Sequence, residues 1–159
     1  MEIRAARPEE YAVVGELVVD AYATLPGGYV LGDYVDELRD VAHRAVEAEV
    51  LVAVDDHRVL GTVTFAAGGP YVELGGPDDG EFRMLAMSDD ARGGGVGRAL
   101  VQACIDRSRQ LGRRRVVLSS QPAMTRAHRL YESLGFRRTP ELDWEPEAGI
   151  LLLAFALDL

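Results

Sequence analysis

Glu81-Phe82-Arg83-Met84-Leu85-Ala86-Met87-Ser88-Asp89-Asp90-Ala91-Arg92-Gly93-Gly94-Gly95-Val96-Gly97-Arg98 reads as a strand, an anion-binding turn and the start of a helix. Period-two alternation from Glu81 to Met87 puts Glu81, Arg83, Leu85 and Met87 on one face and Phe82, Met84 and Ala86 on the other. Asp89 to Gly97 then breaks the strand. Arg92 to Gly97 removes nearly every side chain where a helix begins, so backbone N–H groups can close on a negatively charged ligand. The helix dipole and Arg92 add to that attraction.

The 159 residues around this stretch make one domain, spanning 1–159, long enough to bury roughly 68–70% of the surface an unfolded chain exposes. The single Cys104 excludes an internal disulfide and any multi-cysteine zinc site. His43, His57 and His128 have no metal-site spacing, so no metal is expected. The N-terminus MEIRAARPEEY lacks an apolar leader, and no run of about 18 apolar residues occurs. A cytoplasmic, bacterial-type protein with no membrane partner is expected.

Net charge is −9, unevenly spread. Residues 1–80 hold 16 acidic side chains against 5 arginines, whereas residues 82–138 hold 12 arginines against Asp89, Asp90, Asp106 and Glu132. A local basic field thus sits on an acidic protein, suited to a polyanionic small molecule on one side and a cation on the other. No nucleic-acid partner is expected, since that role needs a basic face on a basic domain.

Glu2 to Ala5 is a strand candidate, and Pro8-Glu9-Glu10 opens a helix carrying Tyr11, Val14, Val18 and Ala21 on one face. After the break at Thr24 to Tyr29, a second helix is predicted from Asp33, with Val35, Leu38, Ala42 and Ala45 buried. Val50 to Val54 and Val59 to Ala66 form a hairpin about Asp55-Asp56-His57, and Gly68 to Gly80 is an acidic loop over the site. Val96, Leu100, Ala103, Cys104 and Leu111 share one helical face that Gly112 ends. Val116 to Leu118 is a buried strand, and Thr125 to Leu134 is a helix capped by Gly135. Phe136 onward and Ile150 to Leu157 supply the last strands.

Other glycine-rich nucleotide loops fail here. A dinucleotide fingerprint begun at Gly93 needs glycine at Arg98, and a Walker loop needs a lysine that this chain nowhere contains.

Two separated segments fit together instead. Arg92-Gly93-Gly94-Gly95-Val96-Gly97 resembles the Arg/Gln-x-x-Gly-x-Gly/Ala signature of the GNAT (GCN5-related) N-acetyltransferases, and Ala127-His128-Arg129-Leu130-Tyr131-Glu132-Ser133-Leu134-Gly135-Phe136 resembles that family's later helix and following strand. The resemblance covers residues 50–138 by motif and the N-terminal helices by order. It implies an α+β (α/β) GNAT-like domain: a central mixed, mostly antiparallel sheet, splayed in the middle and flanked by about four helices.

The resemblance also implies acetyl-CoA as co-substrate. Its pyrophosphate would lie on the backbone of Gly93, Gly94, Gly95, Val96, Gly97 and Arg98 with Arg92 nearby, and its pantetheine arm along Leu85, Ala86 and Met87, with Ala127 also in contact. An acceptor amine would attack the thioester carbonyl directly. Tyr131 stands where the family often carries the acid that protonates the departing thiolate, although it also shares an apolar face with Ala127, Leu130 and Leu134. A base is needed because a lysine-like amine lies about 3.4 units above pH 7, so presenting it neutral costs roughly 4.6 kcal/mol. Glu81 resembles in position the glutamate that serves as general base in the family's histone-acetyltransferase branch, other branches using a water chain or no dedicated base, with Glu73, Asp78 and Tyr71 as substitutes. One departure is Met124, where many members carry asparagine.

On the acceptor side Tyr29, Tyr71 and Glu73 are the candidate binding residues, with Tyr22, Leu25, Tyr34 and Trp144 as further lining. The acceptor is an amine of a small molecule or a peptide. A homodimer is open, since Ile150 to Phe155 serves equally as core or interface. The alternative from another class is a non-catalytic acyl-CoA-binding sensor or interaction module with the same fold; Glu81 and Tyr131 favour the enzyme.

Overall fold

The computed structural model describes residues 1–25 and 34–159. Tyr29 and the helix start expected at Asp33 lie outside them. The described elements are β1 (Glu2–Ala5), α1 (Tyr11–Ala23), α2 (Tyr34–Arg39), α3 (Val41–Glu47), β2 (Glu49–Asp55), β3 (Arg58–Ala66), β4 (Asp79–Met87), α4 (Val96–Gln110), β5 (Arg115–Ser120), α5 (Thr125–Ser133), β6 (Arg137–Arg138), β7 (Trp144–Glu147) and β8 (Ile150–Asp158).

The strands run in the order β1-β2-β3-β4-β5-β8-β6, with β7 paired to β8. All pairings are antiparallel except β4 with β5. β2 and β3 are joined through Asp56 (φ 49°) and His57 (φ 64°), two consecutive left-handed residues, which match the twist of a tight hairpin. Helices cover both faces of the sheet, so strand residues of both parities are buried. On one face Val96, Leu100, Val101, Cys104 and Ile105 of α4 pack against Val63, Phe65, Phe82, Val116 and Leu118. On the other, Val14 of α1 and Val41 of α3 meet Val50 and Val52, while Val18, Val19 and Leu38 meet Met84 and Ala86. Leu111, expected on the α4 face, follows the helix end and is exposed.

The single helix expected through Asp33 to Ala45 is two. Asp40 interrupts it, and its carboxylate accepts from the His43 N–H at 3.2 Å to cap α3. The break resets the helical phase. Leu38, Val41 and Arg44 become the buried positions, and Ala42 faces solvent.

A second departure lies in β4. Thr62 pairs with Ala86 and Thr64 with Arg83, so Met84 and Leu85 together oppose Val63 in a β-bulge. Met84 takes φ 57°, a left-handed conformation uncommon away from glycine. The extra residue reverses the alternation. Phe82, Leu85 and Met87 face α4, whereas Met84 and Ala86 join Arg83 on the side of α1 and α2.

Candidate active site

Parallel pairing between β4 and β5 covers Asp79 with Arg115, Gly80 with Val116 and Glu81 with Val117, and stops there. Beyond it β4 continues to Met87 while β5 diverges. The mouth of this splay is a cleft of about 660 Å³ running from Thr24 and Leu25, after α1, past β4 and the glycine turn, to the start of α5.

The glycine turn forms one wall. Gly93 (φ 82°) and Gly95 (φ 81°) are left-handed, and Gly95 caps α4 without a side-chain bond. The first-turn N–H groups of α4 lack intrahelical acceptors and carry the positive end of its dipole. Gly97 lets that turn approach β4, since a Cβ there would sit 3.2 Å from the Met87 sulfur and 3.3 Å from Leu130. Leu85, Ala86, Met87, Arg92, Gly93, Gly95, Val96, Gly97, Arg98 and Ala127 all line this cleft, and Gly94 stands outside its lining. Arg92 is 3.4 Å from Asp89, and Arg98 donates to the Ser133 hydroxyl at 2.7 Å. Met124 precedes α5 without a side-chain cap.

Tyr131 lines the same cleft. Its ring packs edge-on against Phe82 (5.6 Å) and Phe155 (5.9 Å), and burial pushes its phenol well above the ordinary value. The two readings of this residue therefore coexist: the ring belongs to the core and the residue borders the cleft.

Glu81 is 1% exposed. Its carboxylate accepts from the backbone N–H of Glu73 (3.0 Å), Leu74 (2.9 Å) and Gly75 (2.8 Å). The base candidate of the sequence is thus engaged on three backbone donors and anchors the loop of residues 67–78. The far end of that loop is clamped too. Arg115 grips Asp79 through two bonds, and Arg113 donates to the carbonyls of Ala67 and Pro77.

The anchored loop sets Glu73 against Arg83, 3.1 Å apart. Burial raises the Glu73 pKa against the opposing pull of Arg83. Arg83 also donates to the Tyr34 hydroxyl at 3.2 Å and lies 5.9 Å over the Tyr71 ring. Tyr22 packs edge-on to Tyr34 at 5.9 Å, and burial raises its phenol. Tyr71 and Glu73 thus gather with Tyr22 and Tyr34, and neither lines the cleft of Tyr131. Trp144 lies in β7, against β8.

Sequence reasoning passed over Arg83 and Arg44. Arg83 announces itself as a cation set between Phe82 and Met84 in the apolar part of β4. Arg44 is fully buried and donates from Nη1 to the carbonyls of Glu37 (2.9 Å) and Leu38 (3.0 Å). Its spacing of three from Val41 is the available signal, legible only once the helix break at Asp40 is known. No cluster of three or more potential metal ligands occurs among the described residues, and no helix there is long and apolar enough to cross a membrane.

The acetyltransferase (GNAT) family model matches residues 16–136. The chain belongs to the GNAT acetyltransferase family. A mycothiol acetyltransferase of Geodermatophilus obscurus is 36% identical over 99 residues, covering 61% of this chain and 32% of that protein. An uncharacterised N-acetyltransferase of Schizosaccharomyces pombe is 37% identical over 105 residues, 65% of this chain and 61% of the relative. The matches thus span about a third and three fifths of these GNAT relatives' own lengths. In fold, the chain resembles yncA of Salmonella typhimurium, described as a candidate acetyltransferase and solved with its cofactor acetyl-CoA (TM-score 0.70, 21% identity, covering 100% of this chain and 94% of that one).

Proposed function

We propose that this GNAT protein is an acetyl-CoA-dependent N-acetyltransferase that transfers the acetyl group directly to a primary amine of a small molecule or peptide. The observation that carries this reading is one continuous cleft in which the glycine turn at the start of α4, the bulged end of β4 and Tyr131 meet. The residues fit the co-substrate. A left-handed glycine turn ahead of unsatisfied helix N–H groups suits a pyrophosphate, and the two strand edges freed by the splay suit an extended, amide-bearing arm.

In the step proposed, the amine nitrogen bonds to the acetyl carbon as the carbon–sulfur bond breaks. The Tyr131 hydroxyl supplies a proton to the departing sulfur, its raised pKa keeping it protonated at neutral pH, and the second proton that the nitrogen sheds on becoming an amide restores that hydroxyl. Glu73 receives the ammonium proton, since its side chain is 21% exposed, beside Arg83 and raised in pKa. Glu81 is a positioning residue in this scheme, holding the loop that presents Glu73.

Calorimetric titration with acetyl-CoA, followed by an amine-dependent thiol-release assay, tests the proposal. Binding with turnover supports it. Binding without turnover across a broad amine panel would leave the non-catalytic sensor, and no binding by folded protein would remove both.

A further inference from the structure

We infer that the acceptor carries a carboxylate as well as its amine, and that Arg44 is the group that binds it. This rests on the N-acetyltransferase reading above and specifies its substrate class.

Arg44 is 0% exposed, yet its Nε and Nη2 have no hydrogen-bond partner among the described residues. Both bonds it makes come from Nη1 and go to neutral carbonyls. Four other partly covered arginines are treated differently, and Arg113, which like Arg44 bonds only carbonyls, leaves Nε alone unpaired. Arg4, Arg83, Arg115 and Arg138 each meet a carboxylate within 3.1 Å, at Glu10, Glu73, Asp79 and Asp143. An arginine does not shed its proton in a protein, so burial leaves Arg44 as a cation facing low dielectric with two donors idle. Such an arrangement persists where something outside the chain supplies the counter-charge.

Its neighbours place that requirement on the acceptor side. The groups that act on Arg44 electrostatically are Tyr71, Tyr34, Arg83 and Glu37. Tyr34 and Tyr71 are the same two side chains that Arg83 touches. One wall of the anchored loop therefore holds two guanidinium groups and, in Glu73, one carboxylate paired to Arg83. Glu37 acts on Arg44 through space, its carbonyl and not its carboxylate being bonded, so no carboxylate pairs with this guanidinium directly, and the fork of idle Nε and Nη2 has the geometry of a carboxylate's two oxygens. An amino acid, or a compound ending in one, satisfies the pair: amine toward Glu73, carboxylate on Arg44. Because Arg44 is covered in this structure, the carboxylate enters as a neighbouring side chain moves aside.

The test compares L-amino acids with their primary amides, their decarboxylated amines and phosphoethanolamine as acceptors, on wild type, Arg44→Met and Arg44→Lys. Wild type should prefer the carboxylates by roughly tenfold or more in kcat/KM, because an analogue that leaves a buried donor unpaired is rejected strongly. Arg44→Met should erase that preference, bringing kcat/KM for the carboxylates down to the level of the decarboxylated amines, with the Kd for acetyl-CoA reporting that the fold is kept. Arg44→Lys should restore part of it, keeping the charge without the fork. As a readout free of turnover, the same L-amino acids should raise the melting temperature of wild type and not of Arg44→Met. Equal use of neutral amines, a preference for phosphoethanolamine, selectivity that survives Arg44→Met and Arg44→Lys, or no carboxylate effect in either assay would overturn the inference. Absence of acetyl-CoA binding would instead remove the proposed function.

Discussion

The carboxylate of Glu81 accepts the Gly75 N–H at 2.8 Å, tying the head of β4 to the loop that carries Tyr71 and Glu73. A strand buried in the sheet thereby fixes the position of the residues proposed for the acceptor side.

Glu81→Ala removes the acceptor for three part-buried N–H groups at once. The expected loss is about 3 kcal/mol, since bonds to a charged acceptor are the stronger ones and their partners are left unmet. Urea unfolding measures it. On the reading above, KM for the amine should rise far more than the Kd for acetyl-CoA, and an equal loss at both sites would place Glu81 elsewhere in the mechanism.

Tyr131→Phe keeps the ring against Phe82 and Phe155 and removes only the hydroxyl. Stability should stay near wild type while kcat falls about 10²-fold, the lower range for loss of a general acid. An unchanged kcat would assign Tyr131 to packing alone.

Gly95→Ala and Gly97→Ala separate strain from crowding. At Gly95 the φ of 81° is unfavourable for alanine, at about 1 to 2 kcal/mol. At Gly97 the added methyl meets the movable Met87 side chain, so folding is nearly kept. It nevertheless intrudes at the helix start, where acetyl-CoA affinity should drop roughly tenfold, or about 1.4 kcal/mol.

With Glu73 as the base of the proposed step, the pH–rate profile follows from its titration. Burial raises its pKa, so activity should rise with pH through a midpoint above the ordinary 4.5. Arg83 opposes that shift, and Arg83→Met should move the midpoint further up. For stability the sign is opposite: the folded state keeps this proton to higher pH than the unfolded chain, so the Glu73 contribution declines as pH rises past 4.5.

Glu10 gives the converse case. Its two bonds from Arg4 at 2.8 Å, together with the Arg7 N–H, lower its pKa to about 2. Below 4.5 the unfolded chain takes up the proton first, so this stabilisation is complete above 4.5 and is lost as pH falls toward 2. Glu10→Gln should flatten the acid limb of the stability curve in thermal melts.

Much of the fold is legible where local chemistry and long-range packing agree. Glu2 to Ala5, the hairpin around Asp56 and the helix start at Val96 all carry their own punctuation. The bulge at Met84 does not, because neither glycine nor proline marks it and the left-handed residue is a methionine held by its surroundings. Asp40 illustrates a different difficulty: an aspartate inside an apolar period reads as solvent-facing until its capping bond to His43 is seen. The placement of β8 between β5 and β6 depends on pairing across the chain, which no local pattern encodes. The glycine turn and Tyr131 were visible as motifs, whereas Arg83 and Arg44 gain their meaning only from what surrounds them.

The three parallel rungs that join β4 to β5 make this molecule two half-sheets stitched along a short seam. Past Glu81 and Val117 the strands no longer hold one another, and whatever lies between them takes over as the thread. Those amides of residues 82–87 that point away from β3 should then exchange with solvent as a group, faster than those of β2 and β3, and slow together when the gap is filled. A co-substrate bound as proposed would in such a design also be a fastener, and heat should part the unliganded protein along that seam first.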